Sequence, residues 1–309
     1  MILITGATGF LGSALCSNLL EENIDFIPVV RHESSEIDNR FVIKDINKNT
    51  NWNLSQLHVD VVVHTAARVH VMNDLSGDPQ SDFDKINLYG TLKLAQDCIK
   101  NKVKRFIFIS TIKVNGESSE ENPFNEKDEP SPVDPYGKSK HKAEIELKKL
   151  CETSEMELVI IRPPLVYGPN VKGNFSLLIK AVRWRMPFPF LNITNHRSLV
   201  SVYNLVDLIR CCISHPSPLN DTFLVADDED VSIVYLVNEI GRALGKRVFL
   251  FPFPKSLLEQ IFILFKRKDQ LDRLIGDLSV NIDFTKQTLN WEPKYSMADS
   301  LKKMFSTNQ

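Results

Sequence analysis

The chain has 309 residues, 43% of them hydrophobic and 25% charged, with a formal net charge of -2. That length suits one large α/β unit or two closely packed domains, and the composition excludes wholesale disorder. Lys and Arg number 37 against 39 Asp and Glu, so no basic excess points to nucleic acid.

Short apolar runs stand at 1–4, 26–30, 59–64, 106–110 and 158–162, rich in Val, Ile and Phe and nearly continuous in hydrophobicity. Continuous runs, unlike alternating ones, predict strands buried on both faces, hence a parallel sheet covered by helices. Helical spacing over 11–22 follows the first run. Strand and helix alternation of this kind predicts a doubly wound α/β fold. After Arg162 the texture changes, because Pro163, Pro164, Pro169, Pro187 and Pro189 break the chain often. Helices are expected at 175–184, 204–214 and 232–244, a strand at 222–226, and a last helix from about Met297. This later part is expected over the carboxyl ends of the sheet strands, where ligands of open α/β sheets bind.

The apolar stretch at 255–265 is too short to span a bilayer. Its last five residues are followed by Lys266, Arg267 and Lys268. The plain expectation is a helix packed on its own domain; a peripheral membrane contact or a partner surface is the other reading. The N-terminus reads as a strand running into a turn, not as a signal peptide. Cysteines at 16, 98, 151, 211 and 212 form no CxxC pair. Neither a disulfide framework nor a zinc site is expected, and a reduced, cytoplasmic compartment fits best.

Gly6, Gly9 and Gly12 lie between the first strand and the first helix. Glycine there permits a tight turn and lets backbone N–H groups approach a pyrophosphate, which the helix N-terminus also attracts. Tyr136 and Lys140 are one turn apart on a predicted helix and project from one face. A nearby ammonium favours phenolate, so the pair can exchange a proton with a substrate oxygen.

With these motifs the chain resembles the extended short-chain dehydrogenase/reductases, the NAD-dependent epimerase/dehydratase family. Further matches are Thr65, Ala66 and Ala67 after the fourth strand, Asn87 with Gly90 and Thr91, Ser110 with Thr111, YGKSK at 136–140, RPPLVYGP at 162–169 and LNWEP at 289–293. The resemblance implies a Rossmann domain over 1–168 and a smaller C-terminal α/β region over 169–309 that is mainly for substrate. It places the dinucleotide on Gly6, Thr8, Gly9, Phe10, Leu11 and Gly12, with Asp45 and Ile46 beside the adenine. Thr65, Ala66, Ala67, Asn87, Ser110, Tyr136, Lys140 and Pro163 complete that set. Arg31 ends the second strand, where an acidic residue suits NAD and an arginine suits the 2′-phosphate of NADP. NADP is therefore expected ahead of NAD.

The resemblance makes Thr111, Tyr136 and Lys140 the catalytic set, with Thr111 on the reacting oxygen. Asn174, Arg197 and Arg273 are its candidates for a nucleotide-sugar diphosphate, since a guanidinium pairs with phosphate in bidentate fashion. Dehydratases of the superfamily carry Asp-Glu directly after the catalytic threonine; here Ile112 and Lys113 follow, which argues against that reaction. STIKVNGE at 110–117 and the stretches at 122–140 and 196–209 look most like bacterial 4-ketoreductases of UDP-4-keto-6-deoxy-N-acetylglucosamine. Epimerases usually carry Val-Tyr-Gly where this chain has Val114, Asn115 and Gly116. The main expectation is thus a reductase acting in surface-polysaccharide precursor synthesis, and the alternative is a UDP-hexose 4-epimerase with tightly bound NAD. A non-catalytic dinucleotide sensor could dispense with Tyr136 and Lys140, both of which are present. A homodimer is expected, from apolar residues spread widely over 83–99 and from Ala143, Ile145, Leu147 and Leu150. In the family the two helices pair across a two-fold axis.

Overall fold

A computed structural model describes residues 1–32, 40–69, 77–119, 122–265 and 267–306. The first apolar run forms β1 (Ile2–Thr5), followed by α1 (Phe10–Glu21), β2 (Phe26–Val30), β3 (Phe41–Val42) and β4 (Val61–His64). Next come α2 (Pro79–Phe83), a π-helical turn at Asp84–Gly90, α3 (Thr91–Lys100) and β5 (Arg105–Ile109). α4 (Pro135–Glu152) and β6 (Glu157–Arg162) complete the first half. The later part runs β7 (Leu165–Tyr167), α5 (Gly173–Arg183), β8 (Pro187–Phe188), β9 (Arg197–Ser201), α6 (Val202–Ser214) and β10 (Thr222–Leu224). It ends with β11 (Asp230–Val231), α7 (Ile233–Leu244), β12 (Phe249–Leu250), α8 (Lys255–Leu264), α9 (Lys268–Ile275), α10 (Asp283–Leu289) and α11 (Met297–Ser306).

The strand order β10-β6-β5-β4-β1-β2-β3 makes a seven-stranded sheet in which every pairing is parallel. β5 is buried along its whole length and β1 likewise, as continuous apolar runs require. One face packs on α1 and α6 through Leu15, Leu19, Leu205 and Ile209; the other packs on α3 and α4 through Leu94, Cys98, Ala143 and Leu147. The doubly wound expectation therefore describes this molecule.

The chain crosses the expected 168/169 division. α6 and β10 return to the large sheet, β10 pairing with β6 from Thr222 opposite Ile160 to Leu224 opposite Arg162. The physical reason is the edge of β6, which without β10 would expose a row of unpaired backbone groups. What remains of the later part forms a separate apolar cluster built from α5, α7, α9 and α11, including Phe175, Leu178, Val237, Leu271 and Leu301. The sheet β11-β9-β7 joins the two bodies. Among the described residues no helix is long and apolar enough to cross a membrane. Lys266, one of the three expected basic residues after the apolar stretch, lies outside the described residues.

Candidate active site

The turn between β1 and α1 is closed by Gly9 N–H donating to the Gly6 carbonyl at 2.8 Å. Gly6 has φ +70, and a Cβ there would lie 2.7 Å from Thr65 Oγ1. A Cβ on Gly12 would lie 2.1 Å from the Gly6 oxygen, so only bare backbone lets the helix sit this close to the turn. Gly9 caps α1 with no side-chain hydrogen bond, which leaves the first-turn N–H groups for an anion.

A cavity of about 550 Å³ opens over this turn. Gly6, Thr8 and Gly9 line it together with Arg31, Ile46, Thr65, Ala66 and Ala67. Glycine backbone, a helix N-terminus and an apolar slot at Val29, Ile43 and Ile46 fit a dinucleotide. Other expected contacts sit differently. Phe10 and Leu11 are half-buried against the core. Asp45 is exposed, and its carbonyl accepts from Thr50 Oγ1 at 2.8 Å. Asn87, fully buried in the π-helical turn, accepts from Arg68 N–H at 2.8 Å and donates to the Arg68 carbonyl and to Ser139 Oγ at 3.0 Å. It thereby fixes the loop after β4, whose earlier residues line the cavity. Ser110 donates its hydroxyl to Glu144 Oε1, and the Pro163 carbonyl accepts from Ile112 N–H at 2.9 Å. The Pro163 bond holds the chain just after β5 to that just after β6, and the Ser110 bond ties the end of β5 to α4.

Tyr136 and Lys140 lie in the first two turns of α4, which Asp134 caps by accepting from Gly137 N–H at 2.7 Å. Pro135 at the first helical position suits that start. Lys140 is 1% exposed, and its ammonium lies 4.1 Å from the centre of the Phe108 ring. Burial pulls Lys140 down to about 7, against a smaller opposing pull from Glu144. Burial, and then Asp134, push the Tyr136 phenol well above its usual value. Before a cofactor binds, therefore, the protein's own field does not favour phenolate; the expected stabilisation combines Lys140 with the positive ring of an oxidised nicotinamide. Burial of the Lys140 ammonium over the Phe108 ring weakens its charge before any dinucleotide is bound.

A second cavity of about 750 Å³ takes its wall from Thr111, Asn174, Arg197 and Arg273, the four expected substrate contacts, and from Tyr136, the expected proton donor; Lys140 does not line it. Thr111 caps a short 3-10 turn by accepting from Lys113 N–H at 3.3 Å. Arg197 begins β9 and donates to the Gly276 carbonyl at 3.0 Å; burial, and the like charge of Arg273, lower its affinity for its proton. Arg273 comes from α9 and lies 3.9 Å from Asp134. Two guanidiniums converging in one cavity call for an anion, and a diphosphate supplies two.

Sequence reasoning missed three contributors. Lys113 lines the cavity and pairs with Glu117 at 2.8 Å and with Asp134. Lys172 and Arg267 line it as well. The helix-start pattern Asp134-Pro135 could have marked Asp134 as a cap, but nothing local could show that it also faces Lys113 and Arg273. Asn115, singled out by its sequence position, donates to the Asn125 carbonyl at 2.9 Å and accepts from Arg162 Nη1 at 2.9 Å. It braces the fold around the site.

Residues 2–226 match the model of the NAD dependent epimerase/dehydratase family. A UDP-glucose 4-epimerase of Vibrio cholerae is 45% identical over 306 residues, covering 97% of this chain and 93% of that protein. The fold is similar to that of UDP-glucuronic acid 4-epimerase from Bacillus cereus, solved with UDP-glucuronic acid and NAD. There the TM-score is 0.76 at 23% identity, covering 99% of this chain and 98% of the other. It is also similar to UDP-glucose 4-epimerase from Thermotoga maritima, solved with UDP-glucose, with a TM-score of 0.75 at 22% identity and 99% of both chains covered.

Proposed function

This chain belongs to the NAD dependent epimerase/dehydratase family and is an enzyme of nucleotide-sugar chemistry, and from that premise we propose that it is a UDP-hexose 4-epimerase that keeps its NAD through each cycle. The observation that carries the reading is one cavity shared by Thr111, Tyr136, Arg197 and Arg273 beside a dinucleotide cavity, in a chain 45% identical to a UDP-glucose 4-epimerase. When bound, the dinucleotide supplies a reversible hydride acceptor for C4 of the sugar. Tyr136 holds the C4 hydroxyl and takes its proton, then returns a proton to O4 after the sugar has turned over. Thr111 donates to O4, and Lys140 together with the positive ring of the bound, oxidised dinucleotide would stabilise the phenolate. Arg197 and Arg273 hold the diphosphate, so that the sugar swings without leaving. Ile112 and Lys113 supply no acid–base pair for eliminating water, which argues against a dehydratase.

NAD is the proposed cofactor, in keeping with the family description and the NAD held by the Bacillus cereus enzyme. The preference for NADP rested on Arg31 alone. Arg31 does line the dinucleotide cavity, where it is exposed and can stack on an adenine as readily as pair with a phosphate. Five free thiols, four of them buried, support a reducing cytoplasmic setting.

One observation favours a second reading, the 4-ketoreductase of a UDP-4-keto-6-deoxy-N-acetylhexosamine. Pro164, Leu165 and Leu199 share the cavity wall with Thr111 and Tyr136, an apolar surface that suits a C6 methyl. The test is product analysis by NMR. The protein is incubated with UDP-glucose or UDP-N-acetylglucosamine without added cofactor, and separately with the 4-keto-6-deoxy sugar and reduced cofactor. Interconversion at C4 in the first arm supports the epimerase. Stoichiometric consumption of reduced cofactor in the second arm, with no reaction in the first, replaces it with the reductase.

A further inference from the structure

We propose that the outer face of α8 docks the protein on an anionic lipid bilayer surface. The helix is apolar on two sides. Leu258 and Phe262 turn inward and pack into the core of the later body. Leu257, Ile261, Leu264 and Phe265 recur at helical spacing along one stripe, and all four are exposed, Leu264 at 80% and Phe265 at 69%. An exposed stripe of this kind is what a soluble monomer ordinarily avoids. Phe249 of β12 and Met186, just before β8, are exposed as well.

Charge selects the occupant. Exposed Lys255 opens the helix and exposed Lys268 follows its end, while Arg267 between them faces the sugar cavity. Among the described side chains from 255 to 268 the acid is Glu259, which is half-buried. Apolar side chains that can enter the acyl boundary, bracketed by cations at headgroup height, complement an anionic membrane surface. A second copy is a poorer complement. Pairing two such stripes head to tail sets Lys255 of each copy near Lys268 of the other, like against like. Docking also has a geometric consequence. α9 follows directly, and it carries Gln270, Arg273 and Leu274 into the wall of the sugar cavity. The bound protein therefore holds that wall one helix away from the lipid headgroups.

The test is co-sedimentation of the full chain with vesicles of phosphatidylcholine alone or phosphatidylcholine with phosphatidylglycerol. Wild type is expected to pellet with the anionic vesicles and to be partly released by high salt. The triple variant Ile261→Ser, Leu264→Ser, Phe265→Ser is expected to lose about tenfold or more in vesicle affinity. The pair Lys255→Glu and Lys268→Glu should lose affinity for anionic vesicles only. All these side chains are exposed, so melting temperature and circular dichroism, which report folding, are expected to stay at wild-type values. Wild type remaining in the supernatant overturns the proposal, as does equal pelleting of the triple variant. Binding to neutral vesicles that ignores the charge variant overturns the anionic surface. Light scattering that shows self-association through the stripe, abolished in the triple variant and without vesicle binding, assigns the face to a second copy instead.

Discussion

Arg162 donates to Glu144 through two nitrogens, Nε to Oε1 at 3.0 Å and Nη2 to Oε2, and both side chains are almost wholly excluded from water. Glu144 stands one turn beyond Lys140 on α4, and Arg162 closes β6. Ser110 at the end of β5 donates to the same carboxylate, and Arg162 Nη1 reaches Asn115. The pair thus fixes α4 to the carboxyl ends of two strands. Glu144→Ala leaves a buried guanidinium uncompensated, and the expected loss is about 3–5 kcal/mol. Glu144→Gln keeps an acceptor and should lose less. Urea unfolding measures both; a loss below about 1 kcal/mol for the alanine variant would show that water or relaxation replaces the pair.

Tyr136→Phe removes one hydroxyl and little else. Turnover is expected to fall about 10²–10⁴-fold, while dinucleotide binding, followed by fluorescence, stays near wild type. A variant that keeps half of the original rate would remove Tyr136 from proton transfer.

Lys140 supplies a pH signature for the cofactor-free protein. Its folded value of about 7 lies below the ordinary 10.5, so between those values the unfolded chain holds the extra proton. Its contribution to stability therefore rises with pH from about 7 upward, and it is fully unfavourable below that. Melting curves of wild type and Lys140→Met from pH 6.5 to 9 isolate this contribution. The wild type should gain on the variant as pH rises; a constant difference would mean that Lys140 stays charged in the fold.

His64 works on the acid side. It accepts or donates at Thr5 Oγ1 (2.7 Å) and Thr91 Oγ1 (2.9 Å), joining β1, β4 and α3. Burial, then the charge of Lys140, pull it down to about 3 from 6.5. The unfolded state takes up this proton first, so stability is lost as pH falls from about 6.5 toward 3. In an amide-to-imidazole NMR spectrum the ring should stay neutral at pH 5; a protonated signal there would contradict the assignment.

The bound dinucleotide is expected to be NAD. Acid release from the purified protein followed by mass spectrometry identifies it directly, and titration compares the two forms. NADP binding more than about tenfold tighter than NAD would return Arg31 to the role of a phosphate contact. A homodimer is proposed in parallel, with Ile145 exposed on one of the two helices expected to pair. Light scattering should then report twice the 35.2 kDa chain mass; the single mass at micromolar concentration would leave that side chain to solvent.

The parallel sheet, the glycine turn and the placement of Tyr136 and Lys140 one turn apart on a single helix were legible in the sequence because each is local. Strand burial shows as an unbroken apolar run, the turn as glycine at set intervals, and a shared helix face as a spacing of one turn. Tertiary structure alone decided which polar groups remain open to a ligand. Asn87 and Ser110 carry the right chemistry for a cofactor, yet long-range packing engages them with Arg68, Ser139 and Glu144. Asp134 reads as a helix cap and becomes a junction for Lys113 and Arg273 only when α9 comes close to the start of α4. The return of β10 to the far edge of the sheet has the same origin: a short apolar strand does not name its neighbour. Backbone periodicity is a property of a few consecutive residues, whereas a side chain's partner depends on which distant segment packing brings to it.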